Sequence, residues 1–74
     1  MRRVGIVGSG AMGSWHALRW RALPVELAGF YDADRDRAEA LATKYGGQVF
    51  ASVAELLGAS DIVDVCTPHV FLRS

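Results

Sequence analysis

Val4-Gly5-Ile6-Val7 runs directly into Gly8-Ser9-Gly10-Ala11-Met12-Gly13, and this junction constrains the fold more than any other feature of the chain. An apolar run without alternation, Arg3 to Val7, fits a central parallel strand covered on both faces. The stretch from Ala11 to Leu23 has helical character, with Gly13, Ala17 and Trp20 on one stripe, and Pro24 closes it because proline bars further helix. Strand, Gly-x-Gly-x-x-Gly turn and helix in that order form the opening unit of a doubly wound α/β fold.

The remaining elements follow the same alternation. Val25 to Tyr31 is expected as a second strand. Asp34 can cap a helix over Arg35 to Lys44 with Ala38, Leu41, Ala42 and Tyr45 as its apolar face. Gly46-Gly47 supplies left-handed backbone to end that helix, and Gln48-Val49-Phe50 is a short third strand. Ser52-Val53-Ala54-Glu55 is a capping box, in which serine and glutamate each bond the other's backbone amide, and Gly58 stops that helix. Asp61 to Cys66 is a fourth strand, broken at Thr67-Pro68. Short connections and right-handed crossovers then give a Rossmann-type parallel sheet of four strands in the order 3-2-1-4, with three helices.

The chain has 74 residues, 51% of them hydrophobic and 22% charged, a composition that packs instead of staying disordered. It is expected to be the amino-terminal part of a dinucleotide-binding domain, residues 1–74, without a substrate or catalytic domain. The fourth strand would otherwise be a bare apolar edge, which sheets normally cover or pair, so self-association through it is expected. Eight basic residues balance eight acidic ones, and no overall field draws the chain to nucleic acid or an anionic membrane. Cys66 is the sole cysteine, so no internal disulfide forms and the cytoplasm is the expected compartment. Arg2-Arg3 with its glycine-rich apolar run lacks the cleavage site of a secretory signal.

The chemistry gathers at the glycine turn. Gly8 permits the tight exit from the strand, Gly10 removes the side chain that would block a pyrophosphate, and Gly13 lets helix and strand approach. The first helix then aims free amides at the phosphates, aided by its dipole. Asp32 lies nineteen residues beyond Gly13, near the spacing of about 20 expected of a carboxylate that accepts from the ribose hydroxyls. Such an acid repels a 2′-phosphate, so NAD is favoured over NADP. Arg35 and Arg37 lie nearby and blur that preference; their plainer reading is a solvated first turn of helix.

Other chemistries fit poorly. Asp32, Asp34 and Asp36 imitate the start of a calcium loop, but Arg37 stands where glycine is required and Thr43 where the closing glutamate belongs. Cys66 and His69 have a ligand-like spacing, yet His16 is the sole further soft ligand, short of the four that a structural zinc site uses. No metal site is therefore expected. His16 reads as a packing or surface residue instead of an acid or base, and Trp15 and Trp20 as covers for sheet surface or for a missing neighbour. No lysine accompanies the glycines as a phosphate-loop pattern would demand.

The glycine turn with His16, then Tyr31-Asp32-Ala33-Asp34, Ser52-Val53-Ala54-Glu55-Leu56-Leu57 and Asp61-Ile62-Val63-Asp64-Val65-Cys66-Thr67-Pro68, resembles the glucose-fructose oxidoreductase and inositol dehydrogenase family (Gfo/Idh/MocA). The resemblance covers nearly the whole chain, and its Asp-x-Val-Asp-x-Cys-Thr-Pro ending is the more particular part. It implies an NAD-dependent oxidoreductase acting by hydride transfer on sugar or polyol carbons. It assigns cofactor contacts to Gly8, Gly10, Ala11, Met12, Gly13, Asp32, Thr67 and Pro68. Leu72 stands where the family usually has histidine, and Val70 to Ser74 do not continue the expected helix. The family's Glu-Lys-Pro segment and its second-domain lysine or histidine do not occur in these residues. The chain is thus expected to carry no catalytic residue and to turn nothing over. Two rival readings are a non-catalytic remnant or nucleotide-binding partner module, and the start of a hydroxyacid dehydrogenase, against which the Cys-Thr-Pro ending counts.

Overall fold

The computed structural model describes residues 1–8 and 11–66, with Ala11 and Met12 by backbone alone. Its elements are β1 (Arg2–Val7), α1 (Ala11–Arg21), β2 (Val25–Tyr31), α2 (Arg35–Tyr45), β3 (Gln48–Val49), α3 (Val53–Gly58) and β4 (Ile62–Val65). The strands form one parallel sheet in the order β3-β2-β1-β4, the order expected from right-handed crossovers.

Each face of the sheet carries its own core. Val4, Ile6 and Phe30 pack with Ala17 of α1, Ala38 and Leu41 of α2, and Cys66, while Trp20, Leu27 and Ile62 lean against them. On the opposite face Ala28 and Phe50 meet Leu56 of α3, flanked by Val7, Tyr31 and Val63. Burial on two faces explains why β1 and β2 read as continuous apolar runs instead of alternating ones.

A bulge in β2 makes this division possible. Val4 pairs with Leu27 but Gly5 pairs with Gly29, so Ala28 is an extra residue opposite β1. Strict alternation would send Leu27 and Phe30 to opposite faces; the added residue returns Phe30 to the face of Leu27. Gly29 sits beside the bulge at φ 152, and a Cβ there would overlap the Gln48 backbone of β3. The periodicity of β2 gives no sign of this, because bulge and close approach both depend on strands elsewhere in the chain.

Helix ends show the local chemistry. Asp34 caps α2 by accepting from the Asp36 amide at 3.1 Å, and Gly46 at φ 93 ends it with its amide on the Ala42 carbonyl. Ser52 Oγ accepts from the Glu55 amide at 3.1 Å, as a capping box requires. The return bond differs from expectation: Glu55 Oε1 accepts from Ala51, one residue before the cap, at 3.2 Å. Gly58 is the last residue of α3 and not its stop; Ala59 caps the helix at φ −102. Likewise α1 ends at Arg21 instead of Leu23, since Ala22 and Leu23 donate to Arg19 and Trp20 in tightened i to i−3 bonds ahead of Pro24. The third strand stops at Val49, although the Phe50 amide still reaches the Phe30 carbonyl at 2.9 Å.

Two glycines therefore differ in what they tolerate. Gly29→Ala forces a side chain into the left-handed region and into the β3 backbone, and is expected to cost about 2 kcal/mol or more. Gly58→Ala meets open space and is expected to stabilise by about 0.5 kcal/mol. Urea titration of both variants checks the contrast.

Candidate functional site

Three strand ends meet at one edge of the sheet. Val7 pairs with Tyr31 on β2 and with Val65 on β4, so Gly8, Asp32 and Cys66 stand side by side just past those pairs. The Gly8 amide donates to the Tyr31 carbonyl and the Cys66 amide to the Val7 carbonyl, at 2.8 and 2.7 Å. Backbone bonding thus continues to the rim before the chain turns away. In open parallel sheets this rim, where crossovers leave in opposite directions, is where ligands bind.

Gly8 has φ 87, the left-handed conformation that a tight exit from β1 needs. At Gly13, the third residue of α1, a Cβ would lie 2.7 Å from the Gly8 carbonyl oxygen and 3.3 Å from Leu41 Cδ1. Any side chain would push α1 off the strand exit. Ala11 and Met12 form the first turn, whose amides lack partners within the helix. That turn carries no acid, and Arg19 and Arg21 lie in the last turn, where they complement the dipole. Gly10, Thr67 and Pro68 lie outside the described residues, as does His69.

Asp32 follows β2 and accepts from the Asp34 amide through Oδ1 at 2.7 Å, a local turn that holds its side chain at the rim. The neighbouring arginines are engaged on α2: Arg35 Nε lies 3.1 Å from Glu39 Oε2, and Arg37 Nε lies 3.5 Å from Asp34 Oδ2. They form the solvated helix surface of their plainer reading.

One cluster escaped the sequence reading. Asp64 Oδ2 accepts from His16 Nδ1 at 2.6 Å and from Trp20 Nε1 at 2.8 Å. The accepting carboxylate fixes the tautomer, so Nδ1 carries the proton. His16 and Trp20 are one turn apart on α1, and β-alternation places Ile62, Asp64 and Cys66 on one face. Those spacings were the available signal. Trp20 thus covers the sheet as expected, whereas Trp15 is 66% exposed and does not. Ser14 and Tyr45 hydroxyls, 2.9 Å apart, tie α1 to α2 on its other flank; this bond, with Lys44 and Arg21 nearby, lowers the Tyr45 phenol from its ordinary value. An open cavity of about 360 Å³ adjoins the cluster, lined by His16, Arg19, Trp20, Leu23, Ile62 and Asp64.

Cys66 belongs to the same cluster: ligating atoms of His16, Asp64 and Cys66 all lie within 4.8 Å of one another. Burial, reinforced by the Asp64 charge, pushes the thiol up to about 12. It is a neutral, buried side chain at physiological pH, and Asp64 already has two donors. The set is a hydrogen-bonded junction between helix and strand.

The sequence profile described as the oxidoreductase family with an NAD-binding Rossmann fold, Gfo/Idh/MocA, matches residues 2–72. Glucose-6-phosphate 3-dehydrogenase of Bacillus subtilis is 34% identical over 70 residues, 93% of this chain and 20% of that protein. Inositol 2-dehydrogenase of Cereibacter sphaeroides is 39% identical over 69 residues, 88% of this chain and 21% of that protein. The crystal structure of GenD2 from gentamicin A biosynthesis, in complex with NAD, superposes with a TM-score of 0.85 at 36% identity, covering 90% of this chain and 20% of that one. The chain spans about a fifth of the length of these relatives.

The raised Cys66 pKa fixes a pH dependence. The unfolded thiol loses its proton near 9 and the folded one only near 12. Between these values the unfolded state binds fewer protons, so stability is full below pH 9 and falls as pH rises toward 12. A thiol reagent at pH 8 should leave Cys66 unmodified until urea unfolds the chain.

Proposed function

The chain belongs to the Gfo/Idh/MocA oxidoreductase family, as its NAD-binding Rossmann part, and on that basis we propose how its residues hold the cofactor and what the parent reaction is. The carrying observation is the rim formed by three strand ends, with α1 seated against Gly8 through Gly13. The Gly8 turn and Gly10 leave room for the pyrophosphate, and the amides of Ala11, Met12 and Gly13 face it. Gly8 and Gly13 fit that role: one has the backbone conformation, the other the close contact. The family resemblance assigns Thr67 and Pro68 to the cofactor as well.

Asp32 accepts from the adenosine ribose hydroxyls. Its charge disfavours a 2′-phosphate, and Arg35 and Arg37, held by Glu39 and Asp34, do not offset it. This supports NAD over NADP. NAD, when bound, supplies the hydride acceptor; these residues bind and orient it. The parent reaction is hydride transfer from a sugar or polyol carbon, a reading supported by the names of the relatives. Among the described residues no acid–base residue is assigned; His16 is read as a link from α1 to Asp64 of β4.

No described helix is long and apolar enough to cross a membrane. A cytoplasmic location and the lack of nucleic-acid or membrane partners follow in this reading from balanced charge and a single cysteine. The edge strand β4, with Val65 54% exposed, supports self-association by strand pairing.

Calorimetric titration tests the binding role: saturable heat with NAD is expected, weaker heat with NADP. Asp32→Ala should weaken NAD about tenfold or more and narrow its preference over NADP. Absence of saturable NAD heat would leave the inert-remnant reading. Sedimentation across a concentration series should show dimers that Val65→Lys suppresses; a monomer at every concentration rejects the pairing.

A further inference from the structure

We propose that Asp64 is a positioning residue for the pyrophosphate: it sets where the amino end of α1 reaches over the rim, acting through His16 and Trp20. This rests on the dinucleotide reading above.

A carboxylate is out of place in this position. Its neighbours on the same face of β4, Ile62 and Cys66, belong to the apolar core, and the Asp64 side chain is 18% exposed. Removing a charge from water costs several kcal/mol unless it is paired. No lysine or arginine among the described residues forms an ion pair with it; its partners are an imidazole and an indole. An apolar side chain would satisfy the packing at lower cost. What the carboxylate adds is direction, since both donors converge on one oxygen.

Those donors lie where direction matters. Gly13 and Ala17 bring α1 close to the sheet but present no group larger than a methyl to interlock with it, so they resist its sliding and rotation weakly. His16 is the sixth residue of α1 and Trp20 one turn later; fixing both to one atom fixes the helix about its axis and along the strand. On the opposite flank Ser14 is held by Tyr45. The helix is thereby bracketed by α2 and β4 within two turns of its amino end. Asp64 itself stands two residues before Cys66 at the rim. The spacing between the first turn of α1 and the end of β4 is thus set by one carboxylate, and preorganised amides bind better than loosely held ones.

The test compares ADP-ribose, which carries the pyrophosphate, with adenosine, which engages Asp32 but not α1. Both are titrated against the 74-residue chain and its Asp64→Asn, Asp64→Leu and Trp20→Phe variants by NMR. Asp64→Asn should weaken ADP-ribose about tenfold and leave adenosine unchanged, with far-UV circular dichroism retained. Asp64→Leu should keep or raise the melting temperature while losing the same affinity. Equal losses for both ligands would mark a merely structural role, and an unchanged ADP-ribose affinity would overturn the proposal. If the unaltered chain binds neither ligand, the dinucleotide reading fails by itself. The backbone amide resonances of Ala11 to Gly13 then decide: movement in Asp64→Asn and Trp20→Phe upholds the positioning, and unmoved resonances reject it.

Discussion

A single missing methyl group governs the arrangement of this protein. With no Cβ at Gly13, the backbone of α1 rests against the carbonyl of Gly8 at a distance that any other residue would open. From that contact follow the closeness of helix to sheet and the burial of Ala17. So does the reach of His16 and Trp20 to β4. A helix displaced outward by a side chain would lose the Asp64 bonds and expose the core between α1 and β1.

The sheet answers a different demand, that of burying two faces with few strands. Its solution is the extra residue Ala28 in β2, which redistributes large side chains so that Phe30 fills the α1 and α2 face while Ala28 and Tyr31 turn to α3. Gly29 permits the bulge and the close approach of β3 together. Gly5 serves the other side, where Leu56 and Ser60 pack directly on the β1 backbone. Close backbone contacts thus recur on both faces, and they compensate for the shortness of α3 and β3.

Polar groups are placed with similar economy. The acids after β2 are used locally: Asp32 turns the chain toward Asp34, and Asp34 caps α2 and pairs with Arg37. The acid of β4, Asp64, is used at long range, joining residues 48 and 44 positions away. The exposed acids after β2 therefore shape a turn, whereas the half-buried Asp64 joins α1 to β4. This division accounts for the character of the rim, which offers backbone amides and a carboxylate and keeps its nearby cations occupied.

The sequence alone determined the element order, the parallel sheet in the order 3-2-1-4, the turn at Gly8 and the caps at Asp34 and Ser52. The elements, the turn and the caps depend on residues within a few positions of one another, where periodicity, proline and glycine act directly on the backbone, and the sheet order then follows from short connections and right-handed crossovers. It also marked Asp32 and the glycines as candidates, because their spacing reports on one strand–turn–helix unit. Only the tertiary structure decided the bulge at Ala28, the joining of His16 and Trp20 to Asp64, the exposure of Trp15 and the meeting of Gly8, Asp32 and Cys66 at one rim. Those outcomes depend on register and on partners tens of residues apart. The packing of the sheet selects them, and no local pattern encodes which of the sterically allowed pairings buries the most surface.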